Sequence, residues 1–119
     1  MKLEQATRSN SSMRLAIFGC SGGGKTYSAL QLAKGLTKNN QIAVIDTEAG
    51  SAALYSNLTS FKVLRLEQPF TPERFIEAIT ICENAGCDVI IIDSLSHAWE
   101  GAGGILEIHG HMPGNSFAN

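Results

Sequence analysis

From Gly19 to Thr26 the chain reads Gly-Cys-Ser-Gly-Gly-Gly-Lys-Thr: a glycine, four residues, a second glycine, a lysine and a hydroxyl residue. Each type has a physical task in holding phosphate. Glycines let the backbone curl until successive N–H groups point inward at anionic oxygens. A helix opening at the end of the loop adds unpaired N–H groups and the positive end of its dipole. Lys25 can reach the β- and γ-phosphates of a nucleoside triphosphate, and the Thr26 hydroxyl can ligate Mg²⁺. Ser21, Gly22, Gly23, Gly24, Lys25, Thr26 and Tyr27 are therefore the expected nucleotide-contacting stretch.

Two carboxylates extend the chemistry. Val89-Ile90-Ile91-Ile92 ends in Asp93, and an acid at the C-terminal edge of a buried strand can hold a Mg²⁺-bound water. Alone, such a pattern is only the end of a strand; paired with the glycine-rich loop it predicts a metal site made of Thr26 and Asp93. Glu48 follows the apolar run Ile42–Ile45 and Asp46. Hydrolysis of a triphosphate needs a group that orients or deprotonates water, and Glu48 can serve. On spacing alone it reads equally well as a solvated loop acid or the cap of a following helix.

These residues must be positioned by elements, and the apolar runs say which. Leu15–Phe18, Ile42–Ile45 and Val89–Ile92 are short, unbroken and partly β-branched, as strands buried on both faces of a parallel sheet require. Residues 61–67 mix Lys62 and Arg65 into a fourth run, which predicts an edge strand. Between them, Thr26–Lys38 carries Leu30, Ala33 and Leu36 on one stripe. Thr71-Pro72-Glu73 opens another helix with a hydroxyl cap, a first-turn proline and an acid at the dipole's positive end. Its apolar face is Phe75, Ile76, Ile79 and Cys82, and Gly86 closes it. Ser51–Leu58 is a weaker helix. Alternating strands and helices predict an α/β fold, a parallel-sheet three-layer sandwich.

Composition bounds the rest. The 119 residues suit one domain: a polar arm over 1–12, expected to be flexible, and a core over 13–119. All nine Lys and Arg, with five acids, precede residue 75; six acids and no basic residue follow, so an anionic partner should meet the N-terminal part. Cys20, Cys82 and Cys87 lack paired spacing, and no stretch approaches a membrane span, which together predict a cytoplasmic protein with reduced thiols. His97, His109 and His111 with Cys82 and Cys87 do not match a zinc pattern. Trp99 is expected to cover the sheet end rather than stack on a base.

IAVIDTEAGSA and DVIIIDSLSHAWEG resemble the RecA-type branch of the P-loop ATPases. More narrowly, GKTYSALQLA, IDTEAGSAALY, PERFIEAI and IIDSLSHAWEGAGGILE resemble a phage and prophage ATP-binding family often labelled AAA-family ATPases. The resemblance implies ATP and Mg²⁺ as ligands, Asp93 as the Walker B acid and Glu48 as the hydrolytic residue. It implies partners in phage-type DNA recombination or annealing: single-stranded DNA, further copies of the chain, or phage recombination proteins in a bacterial or phage-infected cell. Cys20 replaces the lysine of the partition-ATPase loop and argues against that relative. RecA-like sheets carry a γ-phosphate-sensing strand after Asp93, and none is expected here. A core incomplete at its C-terminal end, with ATP binding exceeding turnover, is the resulting expectation. A small-molecule or nucleoside kinase, and a non-hydrolysing nucleotide-dependent assembly switch, are the alternative readings.

Overall fold

The computed structural model describes residues 1–7, 12–19, 24–50, 52 and 55–114. Ile42–Asp46 forms strand β1, buried at every position because it has a neighbour on each side. Lys62–Arg65 (β2) and Val89–Asp93 (β3) flank it, giving a three-stranded parallel sheet of order β2-β1-β3. The α/β parallel-sheet architecture expected from the sequence is present. β2 is the edge that Lys62 and Arg65 announced, with both of them exposed.

Successive side chains of a strand point to opposite faces, and two helices use the two faces. Helix α1 (Lys25–Leu36) places Leu30 against Val44 and Ala52, with Ile91 of β3 packed on the same cluster. Helix α2 (Pro72–Asn84) places Phe75, Ala78 and Cys82 against Ala43 and Ile45, with Ile90 and Ile92 on that side. Val44 and Ile91 thus face α1, while Ala43, Ile45, Ile90 and Ile92 face α2. Helices on both faces make the three layers.

Local chemistry sets the helix ends. Thr71 caps α2, its side chain accepting from the Arg74 N–H, with Pro72 in the first turn. At the other end Gly86 N–H donates to the Glu83 carbonyl and Cys87 N–H to the Cys82 carbonyl, the two bonds of a Schellman closure. That closure brings Cys87 back against the core beside Cys82.

The structure departs from the sequence reading in places, and Ile76, expected on the apolar face of α2, is 64% exposed. Leu15–Phe18 forms no strand: residues 12–19 carry no ladder, and Phe18 is 90% exposed. A strand is buried on both faces only when a neighbour supplies its hydrogen bonds, and among the described residues the outer edge of β3 has no partner. Of the expected helix over 51–58, Ala52 and Tyr55 are helical and residues 56–58 form a turn, while Ser51, Ala53 and Leu54 lie outside the described residues. After β3 the chain forms two short helices, α3 (Ser96–Glu100) and α4 (Ile105–Gly110), for which no element was assigned from the sequence. Both are too short to persist alone and are held by tertiary contact. A Cβ on Gly101 would lie 2.6 Å from the His97 carbonyl oxygen and 2.7 Å from the Phe70 ring, so only glycine lets this turn approach so closely. Phe70 N–H donates to the Ala102 carbonyl at 2.7 Å and fastens the turn to the segment before α2.

Candidate functional site

The parallel register aligns Asp46 of β1 with Asp93 of β3 at the C-terminal end of the sheet. Two residues beyond Ile91, Asp93 falls by the period-2 rule on the α1 face. There the Thr26 hydroxyl, in the first turn of α1, donates to Asp93 Oδ2 at 2.7 Å. Two residues 67 apart in sequence, both expected at a metal, thus touch directly. They offer a hydroxyl and a carboxylate, the hard oxygen donors that suit Mg²⁺. Mg²⁺ is normally held by one or two protein oxygens completed by phosphates and water, and this pair fits that pattern. Among the described residues no group of three His, Cys, Asp or Glu side chains is placed to hold a metal ion.

Lys25 and Gly24 stand at the start of α1. Gly24 adopts φ 83°, a left-handed conformation natural to glycine, and no side chain caps the helix. Lys25 Nζ donates to the Gly19 carbonyl at 2.9 Å, joining the two ends of the glycine-rich motif. Cys20, Ser21, Gly22 and Gly23 lie outside the described residues. Tyr27 is half-exposed on the outer side of α1, edge-on to Tyr55 with ring centres 6.4 Å apart, and its hydroxyl accepts from Gln31.

Glu48 is carried by a turn that Asp46 builds. Asp46 is 2% exposed, and its carboxylate accepts from Glu48 N–H at 2.8 Å and Gly50 N–H at 2.9 Å. The turn brings the Glu48 side chain across to the β3 end. There Ser94 Oγ donates to Glu48 Oε1 at 3.0 Å, and His97 Nδ1 stands 3.8 Å from the same oxygen. Thr47 ties the two strand ends together: its N–H donates to the Asp93 carbonyl at 2.8 Å, and its Oγ1 accepts from Ser94 N–H, also at 2.8 Å. Lys25, Thr26, Glu48 and Asp93 therefore belong to one end of the sheet.

A family model described as an AAA domain matches residues 11–107, most of the chain, spanning the glycine-rich loop, Glu48 and Asp93. The chain belongs to this AAA domain family. No curated protein and no solved structure matches it. Membership identifies an AAA-type P-loop ATPase domain, in a family of nucleotide-binding proteins. No helix among the described residues is long and apolar enough to cross a membrane.

Four residues of this cluster were not singled out by sequence reasoning for what they do: Asp46, Thr47, Ser94 and His97. Asp46-Thr47-Glu48 did carry a signal, since an Asp followed two residues later by a turn N–H is a standard Asx-turn beginning. His97 carried none, because its neighbours in the site, Thr47 and Glu48, come from the loop after β1 and not from its own helix.

Proposed function

We propose that this AAA domain binds ATP with Mg²⁺ at the Gly19–Thr26 loop and the N-terminus of α1 and hydrolyses it. The observation that carries the reading is the direct Thr26–Asp93 hydrogen bond, with Glu48 anchored on the adjacent Ser94. Loop N–H groups and Lys25 bind the phosphates, Ser21 to Tyr27 lining the site. Thr26 and Asp93 would hold Mg²⁺, Asp93 through a bound water, and the ion would supply charge neutralisation for the nucleotide's phosphates. Glu48 accepts a proton from, or orients, the attacking water. The resemblance to RecA-type phage ATPases supports a cytoplasmic protein that works as an oligomer on single-stranded DNA in recombination or annealing.

Isothermal titration of the chain with ATP in the presence of Mg²⁺ tests this. Lys25→Ala should weaken binding at least roughly tenfold, since it removes a charge-assisted phosphate contact. Glu48→Ala should leave binding intact and abolish phosphate release. Equal affinity in the wild type and Lys25→Ala, or ATP turnover that survives Glu48→Ala, overturns the assignment.

A further inference from the structure

The main chain of Glu48 is fixed by Asp46, yet its side chain remains 42% exposed. A carboxylate that must aim at one water loses rotamer freedom to do so, and that cost is removed only if neighbours hold it beforehand. Ser94 Oγ supplies one tether, to Oε1. Among the described residues Oε2 makes no hydrogen bond, which leaves it directed to other partners. What else holds Oε1 follows from counting hydrogens around Thr47.

Thr47 Oγ1 has three neighbours. It accepts from Ser94 N–H at 2.8 Å, and its only hydrogen can go to the Ser94 carbonyl at 3.1 Å or to His97 Nδ1 at 2.7 Å. The Glu48 carboxylate, 3.8 Å from Nδ1, decides between the two, because a bare nitrogen lone pair beside it would be repelled. The hydroxyl therefore donates to the Ser94 carbonyl and accepts from a protonated Nδ1. The N–H dipole, and the ring charge whenever the imidazole is protonated, therefore faces Oε1.

The imidazole is itself held. Its ring stacks on Phe70 with centres 4.7 Å apart and 23° between planes. Phe70 is buried and hydrogen-bonded through its N–H to Ala102, and Gly101 closes against both Phe70 and the His97 carbonyl. A half-buried histidine gripped this tightly has little freedom to be a passive surface group.

We propose that His97 is a positioning residue: together with Ser94 it holds Glu48 Oε1 so that Oε2 is presented to the attacking water. This rests on the reading of Glu48 as the hydrolytic acid. Thr47 is the hinge of the arrangement, joining His97 to the Ser94 backbone.

The experiment uses the full chain and five side-chain changes. Asn at 97 can place an N–H donor where Nδ1 stands, whereas Gln reaches toward the Nε2 position. In single-turnover ATP hydrolysis, His97→Gln is expected to slow the chemical step by roughly tenfold or more, as misplacement of a catalytic group does. ATP affinity should stay within about twofold, because the interaction is used only in the reaction step. His97→Asn should retain most of the rate, and His97→Gln should add nothing in a Glu48→Gln background. A second readout is independent of turnover: the ¹³C resonance of the Glu48 carboxyl should move in Ser94→Ala and His97→Gln but not in His111→Gln. Loss of turnover in Glu48→Gln with an unchanged rate in His97→Gln overturns the inference and spares the reading of Glu48. Undiminished turnover in Glu48→Gln overturns that reading itself. A Glu48 resonance indifferent to His97→Gln overturns the contact, whatever the rates.

Discussion

The Thr26–Asp93 hydrogen bond is the sharpest structural commitment of the site, and a double-mutant cycle measures it. Thr26→Val removes the hydroxyl at nearly constant volume, and Asp93→Asn removes the charge while keeping an acceptor oxygen. At 2.7 Å the bond has the length of a charge-assisted O–H···O contact. Hydrogen bonds to charged groups contribute about 1.5–3 kcal/mol. Both partners are only part-buried, so water competes and the low end applies, about 1.5 kcal/mol for Thr26→Val. Asparagine keeps a neutral bond worth roughly half as much, so Asp93→Asn alone should cost about 0.7 kcal/mol. Once the hydroxyl is gone the charge has no partner, and Asp93→Asn should then be close to neutral. The expected coupling is therefore about 0.7 kcal/mol, measured by urea unfolding with chelator present and no nucleotide. Because the bond joins the start of α1 to the end of β3 across 67 residues, the loss should appear in the global transition rather than in local fraying. Costs that add within about 0.3 kcal/mol refute the reasoning.

Two further predictions follow from titratable groups away from the site. Asp88 accepts from Thr37 Oγ1 and from the Lys38 and Asn39 N–H groups, and these bonds, Thr37 foremost, hold its carboxyl below the ordinary value. A depressed carboxylate pKa stabilises the fold above the unfolded value of about 3.9, and that contribution is lost as pH falls through the folded one. Asp88→Asn should lower Tm at neutral pH, and the gap should close on acidification below pH ~4; a gap constant with pH contradicts the assignment. Burial, and secondarily the neighbouring Cys87, push the Cys82 thiol up. In a Cys20→Ser background, iodoacetamide at pH ~8 should label half-exposed Cys87 ahead of Cys82, as mass spectrometry of timed samples would show; equal rates contradict it.

What the sequence made legible was whatever depends on neighbours in the chain. Apolar period and β-branching gave β1, β2 as an edge and β3, while Thr71-Pro72 and Gly86 marked the ends of α2. Residue type and spacing brought out Lys25, Thr26, Glu48 and Asp93. What stayed hidden depends on partners distant in sequence. Leu15–Phe18 has the composition of a strand, but a ladder belongs to a pair of segments and not to one. α3 and α4 are short helices rich in neighbouring glycine, and their formation depends on Phe70 and the close turn at Gly101, which no local propensity encodes. His97 enters the site because Thr47 does, and Thr47 meets it only through the pairing of β1 with β3.

That pairing explains why the site is where it is. Parallel strands bring their C-terminal ends to one edge, so the two loops that carry Glu48 and Ser94 meet there; an antiparallel pair would set them at opposite edges. Register then decides the face. Asp46 opposite Asp93 puts Ile91 beside Val44 on the α1 face, and two residues on, Asp93 beside Thr26. Slipping β3 by one residue would turn Asp93 toward α2 and bring Ile90 and Ile92 to α1. The apolar core would change little, since Val89 to Ile92 are apolar on both faces. The hydrophobic pattern of β3 therefore specifies its register only weakly. The polar contacts at its end, Thr26 to Asp93 and Thr47 to Asp93 and Ser94, discriminate between the two registers. In this fold the groups proposed to do the chemistry also fix the alignment of the strand that carries them.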